Sequence, residues 1–458
     1  MASRWLCCEP GQRGANPLAH ILRAIGEPLE LIRYDTWNVI LPEGSWLTQV
    51  GSRQFLDVLR EAAGPSALAE WARLREVMQP LAAAATALPP VALRSDAAVV
   101  LSVAKYLPSL LSAGLSALKL TGPFSKVMDG VVNDTFIRNW MDLLCYLLSG
   151  QPASGTVAAE VAFMFNEWYK PDAVLEFPVG GSQGMVAALV RGVKKHGPDG
   201  QILLNAHVEE ILVDRNGRAR GVRLANGRKI LASKAVVSNA TLWDTLPLLP
   251  AGAVQQRSRQ EVDTTPPCPS FMHLHLGFDG TGLDDLEMHH IVVNSWDEGV
   301  TAPGAVVLIS IASVADPSLA PPGHHTLHAY LPASELFELW QGLERGSAEY
   351  LQLKEERSQV LWQAVERIIP DIRKRVKIEM IGTPLTHRHF LRRHRGSYGP
   401  ALMGNFAYAP APVPGLMCCG DSTFPGIGLP AVAASGAIAA NTLVPIGQHL
   451  DLLKSLGL

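Results

Sequence analysis

The sequence predicts a mixed α/β fold, α+β overall, with two domains whose segments alternate along the chain. Residues 53–167 carry a helical pattern rich in alanine and leucine. Residues 270–333 alternate apolar and polar side chains, which is typical of half-buried antiparallel strands. Near the C-terminus, a strand, a glycine-rich turn and a helix of small residues follow one another within residues 415–443. The length of 458 residues allows one to three domains.

Composition argues against two classes of protein. Hydrophobic residues make up 48% of the chain and charged residues 18%, which is too apolar for extended disorder. The 39 Lys and Arg residues nearly balance the 42 Asp and Glu residues, so we expect no nucleic-acid binding. No C-x-x-C pair occurs among the cysteines, which favours free thiols in a reducing compartment over a disulfide framework or a zinc site. The six cysteines are Cys7, Cys8, Cys145, Cys268, Cys418 and Cys419.

Two segments bear on targeting and membranes. Met1–Gly14 has no apolar core of a secretory signal. Val99–Leu120 is apolar over 22 residues, but it contains Lys105 and Pro108. We therefore expect a buried or half-buried helix pair that breaks before Pro108. A membrane-dipping surface and a membrane-spanning helix are the alternatives for this segment.

Turn signals predict the elements of the first half of the chain. A helix over Pro17–Gly26 precedes two strands joined by the turn Pro42-Glu43-Gly44. After the helical region, a second helix is predicted over Met185–Lys195 and a strand over Gln201–Leu204. The chain therefore changes character near Leu175.

Two Asn-Gly dipeptides predict a three-stranded meander over Val208–Val237. Asn216-Gly217 and Asn226-Gly227 lie ten residues apart between β-rich runs, and both dipeptides suit type I′ hairpin turns. Further along the chain the pattern predicts helices over Ser334–Glu344, Ala348–Ile369 and Leu429–Leu443, and a strand over Leu416–Cys419.

The most specific segment runs from Gly415 to Ala440. The strand ends in Gly420-Asp421, a second glycine-rich turn contains Gly426 and Gly428, and a helix of small residues begins at Leu429. A carboxylate at a strand end can bind sugar-like hydroxyls, and glycine allows backbone to approach a ligand closely. The helix N-terminus supplies N–H groups and the positive end of a dipole. Tight strand–helix packing without a ligand is the alternative.

This segment resembles the C-terminal flavin motif of the amine-oxidase and phytoene-desaturase-like FAD enzymes. Phe177-Pro178-Val179-Gly180-Gly181, Asn205–Ile211 and Ser238–Thr241 resemble the middle motifs of that group. The resemblance implies a Rossmann-like FAD/NAD(P)-binding domain of the amine-oxidase/desaturase type and FAD as the cofactor. It assigns Asp421, with Gly420, to the ribityl chain, Gly428 and Leu429 to backbone contacts with the flavin, and Val208 to adenine. It also implies that Asn239 lies near the cofactor.

Three further segments resemble the plant and cyanobacterial carotenoid (prolycopene) isomerases. They are Val236–Thr245, Asp316–His325 and Gly382–Pro400. The resemblance implies an FAD-dependent enzyme for cis–trans isomerisation of a carotenoid or another long polyene isoprenoid. It also implies plastid localisation and peripheral membrane contact. Tyr398 is our candidate for a catalytic residue at the ring end of an apolar tunnel, and we identify no side-chain acid or base.

The chain departs from this group at its start. The group opens with a strand, G-x-G-x-x-G and a helix that hold the FAD pyrophosphate, and nothing before Asn16 matches them. Gly180-Gly181-Ser182-Gln183-Gly184 precedes a helix, but it corresponds to a substrate-side turn in the group. We expect a gene model truncated at its 5′ end. The alternative is a protein that has lost tight FAD binding.

Two polar clusters carry weaker signals. Seven histidines between residues 273 and 328 could suggest a metal site, but we interpret them as polar residues of a sheet face and expect no metal. Residues 387–395 contain four arginines, which we interpret as a solvated basic loop or as a contact to phosphate or anionic lipid. The seven histidines are His273, His275, His289, His290, His324, His325 and His328.

The expected organisation combines an incomplete FAD domain with an antiparallel-sheet substrate domain and a helical cap. The expected activity is carotenoid isomerisation, with the alternatives of a net redox desaturase or retinol-type saturase and of a non-catalytic carotenoid-binding protein. The oligomeric state is not predicted. The expected segments are 1–48 (start of the substrate-domain sheet), 49–174 (helical cap facing a membrane), 175–245 (middle of the FAD domain), 246–400 (substrate domain) and 401–458 (C-terminal FAD segment).

Overall fold

The computed structural model describes residues 16–49, 53–109, 114, 119–168, 174–401 and 412–458. The helices in these ranges are α1 Pro17–Ala24, α2 Arg53–Ala63, α3 Pro65–Thr86, α4 Val99–Val103, α5 Ser125–Met128, α6 Thr135–Ser149, α7 Ala158–Trp168, α8 Gly181–Lys194, α9 Leu242–Thr245, α10 Gln256–Thr264, α11 Ala348–Glu366, α12 Ile372–Arg375, α13 Pro384–Phe390, α14 Leu429–Leu443 and α15 Ile446–Ser455. The strands are β1 Leu31–Tyr34, β2 Trp37–Leu41, β3 Gly44–Thr48, β4 Leu175–Pro178, β5 Val208–Val213, β6 Ala219–Leu224, β7 Lys229–Leu231, β8 Val236–Ser238, β9 Ser270–Asp279, β10 His289–Val293, β11 Val306–Ser310, β12 His324–Glu335, β13 Val376–Gly382 and β14 Leu416–Cys418.

A seven-stranded sheet forms the centre of the molecule, in the order β13-β9-β12-β11-β10-β2-β3. Its neighbouring strands are antiparallel except for β10 and β2, which pair in parallel. The strands predicted over residues 270–333 are therefore confirmed as antiparallel to one another, and the parallel pairing of β10 with β2 is an addition that the sequence did not predict. The N-terminal strands β2 and β3 form one edge of the same sheet.

The two faces of this sheet are buried against different helices. One face packs against α11, with Leu274 and Leu361 in the shared core. The other face packs against the helical region of residues 53–168, with Trp140 fully buried between them. Alternation along β9 separates the faces: Phe271 belongs to the core on the helical-region side, and Met272 belongs to the core under α11.

A smaller parallel pair, β14 with β8, joins the C-terminal segment to the middle of the chain. Cys418 pairs with Ser238, and the Cys419 N–H donates to the Ser238 carbonyl at 2.9 Å. The predicted meander is present as β5-β6-β7 but ends at Leu231, because β8 pairs with β14. This corrects the predicted C-terminal limit of the meander, Val237.

Two other expected elements are wrong. The expected helix over Ser334–Glu344 is the end of β12 followed by a short 3-10 turn, because Glu335 pairs with Ser270 of β9 at the end of the ladder. The expected strand over Gln201–Leu204 is irregular, and Leu204 is 82% exposed. An apolar pattern without a partner strand does not form a sheet.

The apolar segment Val99–Leu120 lies partly outside the described residues. Its described part contains α4 and a 3-10 turn over Ala104–Tyr106. Among the described helices, none combines the length and apolar character that crossing a bilayer requires.

Candidate functional site

The turn after β14 places Gly420 directly beside Asn239. The Gly420 φ of +98° lies in a region that favours glycine, and a Cβ at this position would collide with the Asn239 Oδ1 atom. The Gly420 N–H donates to Ser435 Oγ at 3.0 Å, and Thr423 Oγ1 lies 2.7 Å from the same oxygen. The structure therefore brings together two predicted site residues from separate segments and ties their turn to α14.

Asp421 reaches across to the loop after α13. Its Oδ2 lies 2.6 Å from Arg393 Nη1, and both side chains are about one-fifth exposed. Arg393 Nε also donates to the Ser397 carbonyl at 2.6 Å. The carboxylate predicted to bind hydroxyls is thus held by a guanidinium from the loop after α13, an interaction that the sequence did not predict.

At the N-terminus of α14, the described part of the chain leaves room beside Gly428. Gly428 caps the helix with a φ of +105°, and within the described residues no side chain caps the first N–H groups. A Cβ at Gly428 would meet no atom within 4 Å. Leu429 packs its side chain on the core formed by α1 and α8. Uncapped N–H groups at a helix start attract partial negative charge.

The other two predicted residues occupy different surroundings. Val208 begins β5, is half-buried and pairs with Leu224. Tyr398 packs edge-on against Phe271 with ring centres 5.0 Å apart, on the helical-region side of the large sheet. Its neighbour Gly399 lies beside Ile427, since a Cβ there would approach the Ile427 side chain to 3.0 Å. Tyr398 therefore lies between the glycine turn and the large sheet.

A cavity of about 460 Å³ separates the turn after β4 from the large sheet. Asp316 fixes that turn, because its Oδ2 accepts from the Gly180 N–H at 2.7 Å. The wall is polar as well as apolar, which modifies the expectation of an apolar tunnel. Residues lining it include Phe177, Gly181, Ser182, His275, Ser310, Leu319, His328, Ile378 and Met380.

Histidines interpreted as polar residues of a sheet face converge beside this cavity. His328 on β12 pairs directly with His275 on β9. His273 Nδ1 lies 2.8 Å from His328 Nε2, and His273 Nε2 lies 2.6 Å from His387 Nε2. His273, His275 and His328 do lie on one face of the sheet, as interpreted. The sequence did not predict their contacts with one another or with His387, which completes a group of four histidines. We call them the imidazole cluster.

Burial sets the charge of the imidazole cluster. Burial, reinforced by the neighbouring imidazoles, holds the pKa of both His273 and His328 well below the usual value. Burial and then the Arg393 charge lower the pKa of His387 to about 4. Burial also lowers the pKa of His275. The cluster is therefore neutral at physiological pH and offers both donors and acceptors.

Other members of the histidine-rich region bond elsewhere. His289 Nδ1 lies 2.9 Å from Ser310 Oγ, and His290 Nδ1 lies 3.1 Å from Asn38 Nδ2. His325 Nδ1 lies 3.0 Å from Ser313 Oγ. His387 was missed as a partner because it follows β13 on α13, more than 50 residues from His328. In the sequence His387 belongs to a run with four arginines, and that pattern indicates a charged loop rather than a buried imidazole.

Comparisons with known proteins give one consistent result. Residues 130–444 match the family described as flavin containing amine oxidoreductase. The chain is 33% identical over 352 residues to the chloroplastic prolycopene isomerase 1 of an Oncidium hybrid cultivar, covering 74% of this chain and 56% of that protein. It is 27% identical over 288 residues to the neurosporene-forming phytoene desaturase of Rhodobacter capsulatus, covering 59% of this chain and 53% of that protein. The chain thus spans about half the length of these relatives.

The fold also has a counterpart among solved structures. Wild-type putrescine oxidase with bound putrescine superposes with a TM-score of 0.59 at 14% sequence identity. The superposition covers 99% of this chain and 91% of that one. The similarity establishes the shared fold.

Proposed function

We propose that this protein, which belongs to the family of flavin-containing amine oxidoreductases, is an FAD-dependent cis–trans isomerase of a carotenoid or a related long polyene. The observation that carries the proposal is the 33% identity to a prolycopene isomerase over 352 residues. The glycine turn at Asp421 and the cavity beside the imidazole cluster lie within the matched family region.

The residues at the start of α14 suit a flavin. Gly428 leaves space where a side chain would stand, and the N–H groups after it lack a side-chain cap. Asp421 offers a partly exposed carboxylate to ribityl hydroxyls. We assign Asp421 and Gly420 to the ribityl chain, Gly428 and Leu429 to backbone contacts with the ring, and Asn239 to the same neighbourhood. Val208 is our assignment for the adenine contact.

In this proposal the flavin carries out the chemistry, and the residues of the chain hold the flavin and the polyene in position. A bound flavin supplies a reversible two-electron change, which suits transient weakening of a double bond without net redox. Arg393 holds the Asp421 carboxylate in place. Tyr398 and Phe271 form an aromatic wall between the glycine turn and the sheet. Asp316 fixes the turn that lines the cavity, because its carboxylate accepts from the Gly180 N–H.

Substrate delivery involves a membrane surface in this proposal, because carotenoids dissolve in lipid. Val100, Leu101 and Leu107 are 64%, 59% and 45% exposed within one short segment of the helical region. An exposed apolar group of this kind suits peripheral insertion into a bilayer. The relatives that are described as chloroplastic support a plastid location.

A second candidate is a net redox desaturase or saturase. The 27% identity to a phytoene desaturase supports it, and both activities would use the same site. A carotenoid-binding protein without catalysis is a third possibility, and a chain that retains a polyene but no flavin would support it.

Product analysis separates these functions. The full-length protein is incubated with reduced FAD and a poly-cis carotene in liposomes, and products are resolved by chromatography and mass. Isomerisation changes retention at constant mass, whereas desaturation or saturation shifts the mass by two hydrogens. Unchanged substrate, with flavin bound and the carotene taken up, would contradict both enzymatic proposals.

A further inference from the structure

We infer that His273, His275 and His328 form a binding site for a divalent transition metal such as Zn²⁺. One ring nitrogen from each residue lies within 4.8 Å of the other two. Imidazole suits Zn, Cu, Fe and Ni among the common metals, and three histidines with one open position are a recurrent zinc arrangement. The site depends on the geometry of the large sheet and does not require the proposed isomerase activity.

Strand register creates the site. His275 on β9 lies opposite His328 on β12, and His273 follows two residues away on the same face of β9. This places three imidazoles on one patch of sheet without any loop. Ligands on rigid strands hold a metal with little ordering cost.

The spacing needs only a small adjustment. Two nitrogens bound tetrahedrally at about 2.0–2.1 Å from zinc are roughly 3.3 Å apart. The His273 Nδ1 to His328 Nε2 distance is 2.8 Å, so these rings separate by about half an ångström on binding. The His275 ring lies parallel to His328 at 4.3 Å and must rotate about its Cβ–Cγ bond. His275 is exposed to the cavity, so the rotation has room.

His387 supplies the supporting contact that bound histidines require. A ligating imidazole usually donates its second N–H to a fixed acceptor, which sets its tautomer. His273 Nε2 lies 2.6 Å from His387 Nε2. When His273 donates that proton to His387, its Nδ1 lone pair points toward His328. The hydrogen bond between His387 and His273 therefore orients the His273 ring toward the centre of the site.

The open coordination position faces the cavity. His275 and His328 both line the space of about 460 Å³. Arg393, whose charge acts on His387 of the same cluster, is paired with Asp421 and bonded to Ser397. A metal held by three neutral ligands keeps its positive charge, so the open position suits water, hydroxide or another anionic or oxygen-bearing ligand.

Metal titration of the full, untagged chain tests the inference. Zn²⁺ alone is added in a non-chelating buffer and binding is followed by calorimetry, with Co²⁺ absorption reporting coordination geometry. We expect one equivalent bound, with at least about 100-fold weaker binding in His328→Gln and His275→Gln. His325→Gln is the matched control, since His325 lies on the same strand but bonds Ser313, and it should bind as the unchanged chain does.

The supporting role of His387 has its own pair of variants. His387→Phe removes the acceptor and should weaken binding 10- to 100-fold, roughly the effect of losing such a contact. His387→Gln retains an acceptor oxygen and should recover most of the affinity. Circular dichroism verifies that each variant is folded, and the exposed His275 provides a variant that leaves the core intact. No stoichiometric uptake by the folded chain, or equal uptake by His275→Gln, would overturn the inference.

Discussion

Arg393 and Asp421 form an ion pair of 2.6 Å that joins the loop after α13 to the turn after β14. Arg393 follows the last strand of the large sheet, and Asp421 follows β14 of the small parallel pair. The contact therefore fixes the proposed flavin-binding turn against the loop that follows α13.

A double-mutant cycle measures this coupling. Arg393→Gln, Asp421→Asn and their combination should show an interaction free energy of about 0.5–1 kcal/mol in denaturant unfolding. The value should fall as salt is added, because both side chains are partly exposed. Additive effects of the two substitutions at low salt would show that the pair is not formed in solution.

Alanine substitutions at Gly420 and Gly428 distinguish the cost of backbone strain from the cost of a side-chain collision. Both have positive φ near 100°, so alanine at either position should cost about 1–3 kcal/mol of unfolding free energy. Gly420→Ala should cost more, because only its Cβ meets a neighbouring side chain, Asn239. Adding Asn239→Gly should remove the difference, measured by thermal melting. Equal costs in the single variants would exclude the close approach.

Asp316 gives a prediction for pH. Burial raises its pKa, but hydrogen bonds from the Ser318 side chain and from the Gly180 and Ser318 N–H groups outweigh burial, so the pKa is lowered. A lowered pKa in the folded state means that the stabilisation is complete above the unfolded value of about 3.8 and is lost as pH falls further. Asp316→Asn should cost about 1–3 kcal/mol near neutral pH.

The pH profile supplies the control for Asp316. The difference between the unchanged chain and Asp316→Asn should be constant from pH 7 to about 5 and shrink below pH 4, if other groups leave the chain folded there. A difference that grows on acidification would contradict the assignment of an ionised, hydrogen-bonded carboxylate.

The buried carboxylate of Glu335 makes stability sensitive to substitution of its partner Arg357. Its carboxylate is fully buried and bonds Arg357 at 2.7 Å and the Trp340 Nε1 at 2.8 Å. Arg357→Met should destabilise the chain by about 3–5 kcal/mol, because the buried carboxylate loses its cation. Adding Glu335→Leu should restore much of the loss in urea unfolding. A cost below about 1 kcal/mol for Arg357→Met would contradict this prediction.

Local patterns predicted the elements that depend on nearby residues. The Asn-Gly turns at 216 and 226 gave the meander, and α14 begins and ends at Leu429 and Leu443 as expected. Glu335 shows where this reasoning stops. Its segment has a helical pattern, but Glu335 pairs with Ser270 on β9, 65 residues earlier, and its side chain bonds Arg357, 22 residues later.

The contacts within the imidazole cluster also could not be predicted from local sequence patterns. Alternation placed His273 and His275 on one face of a strand, which is correct. Their meeting with His328 depends on which strand lies beside β9 and in what register, and His387 arrives from a helix beyond β13. Pairing and register are non-local, so a single sequence does not specify them. The contact of Asp421 with Arg393 was missed for the same reason.

Flavin retention by the full-length protein tests most directly the claim that the turn at Asp421 belongs to the cofactor site. Bound FAD per protein is measured from the visible absorption after gel filtration, for the unchanged protein, for Asp421→Asn and for the control Asp451→Asn on the exposed side of α15. The account predicts that Asp421→Asn loses most of its flavin while folded, whereas Asp451→Asn retains it. Equal flavin in all three proteins would contradict the assignment.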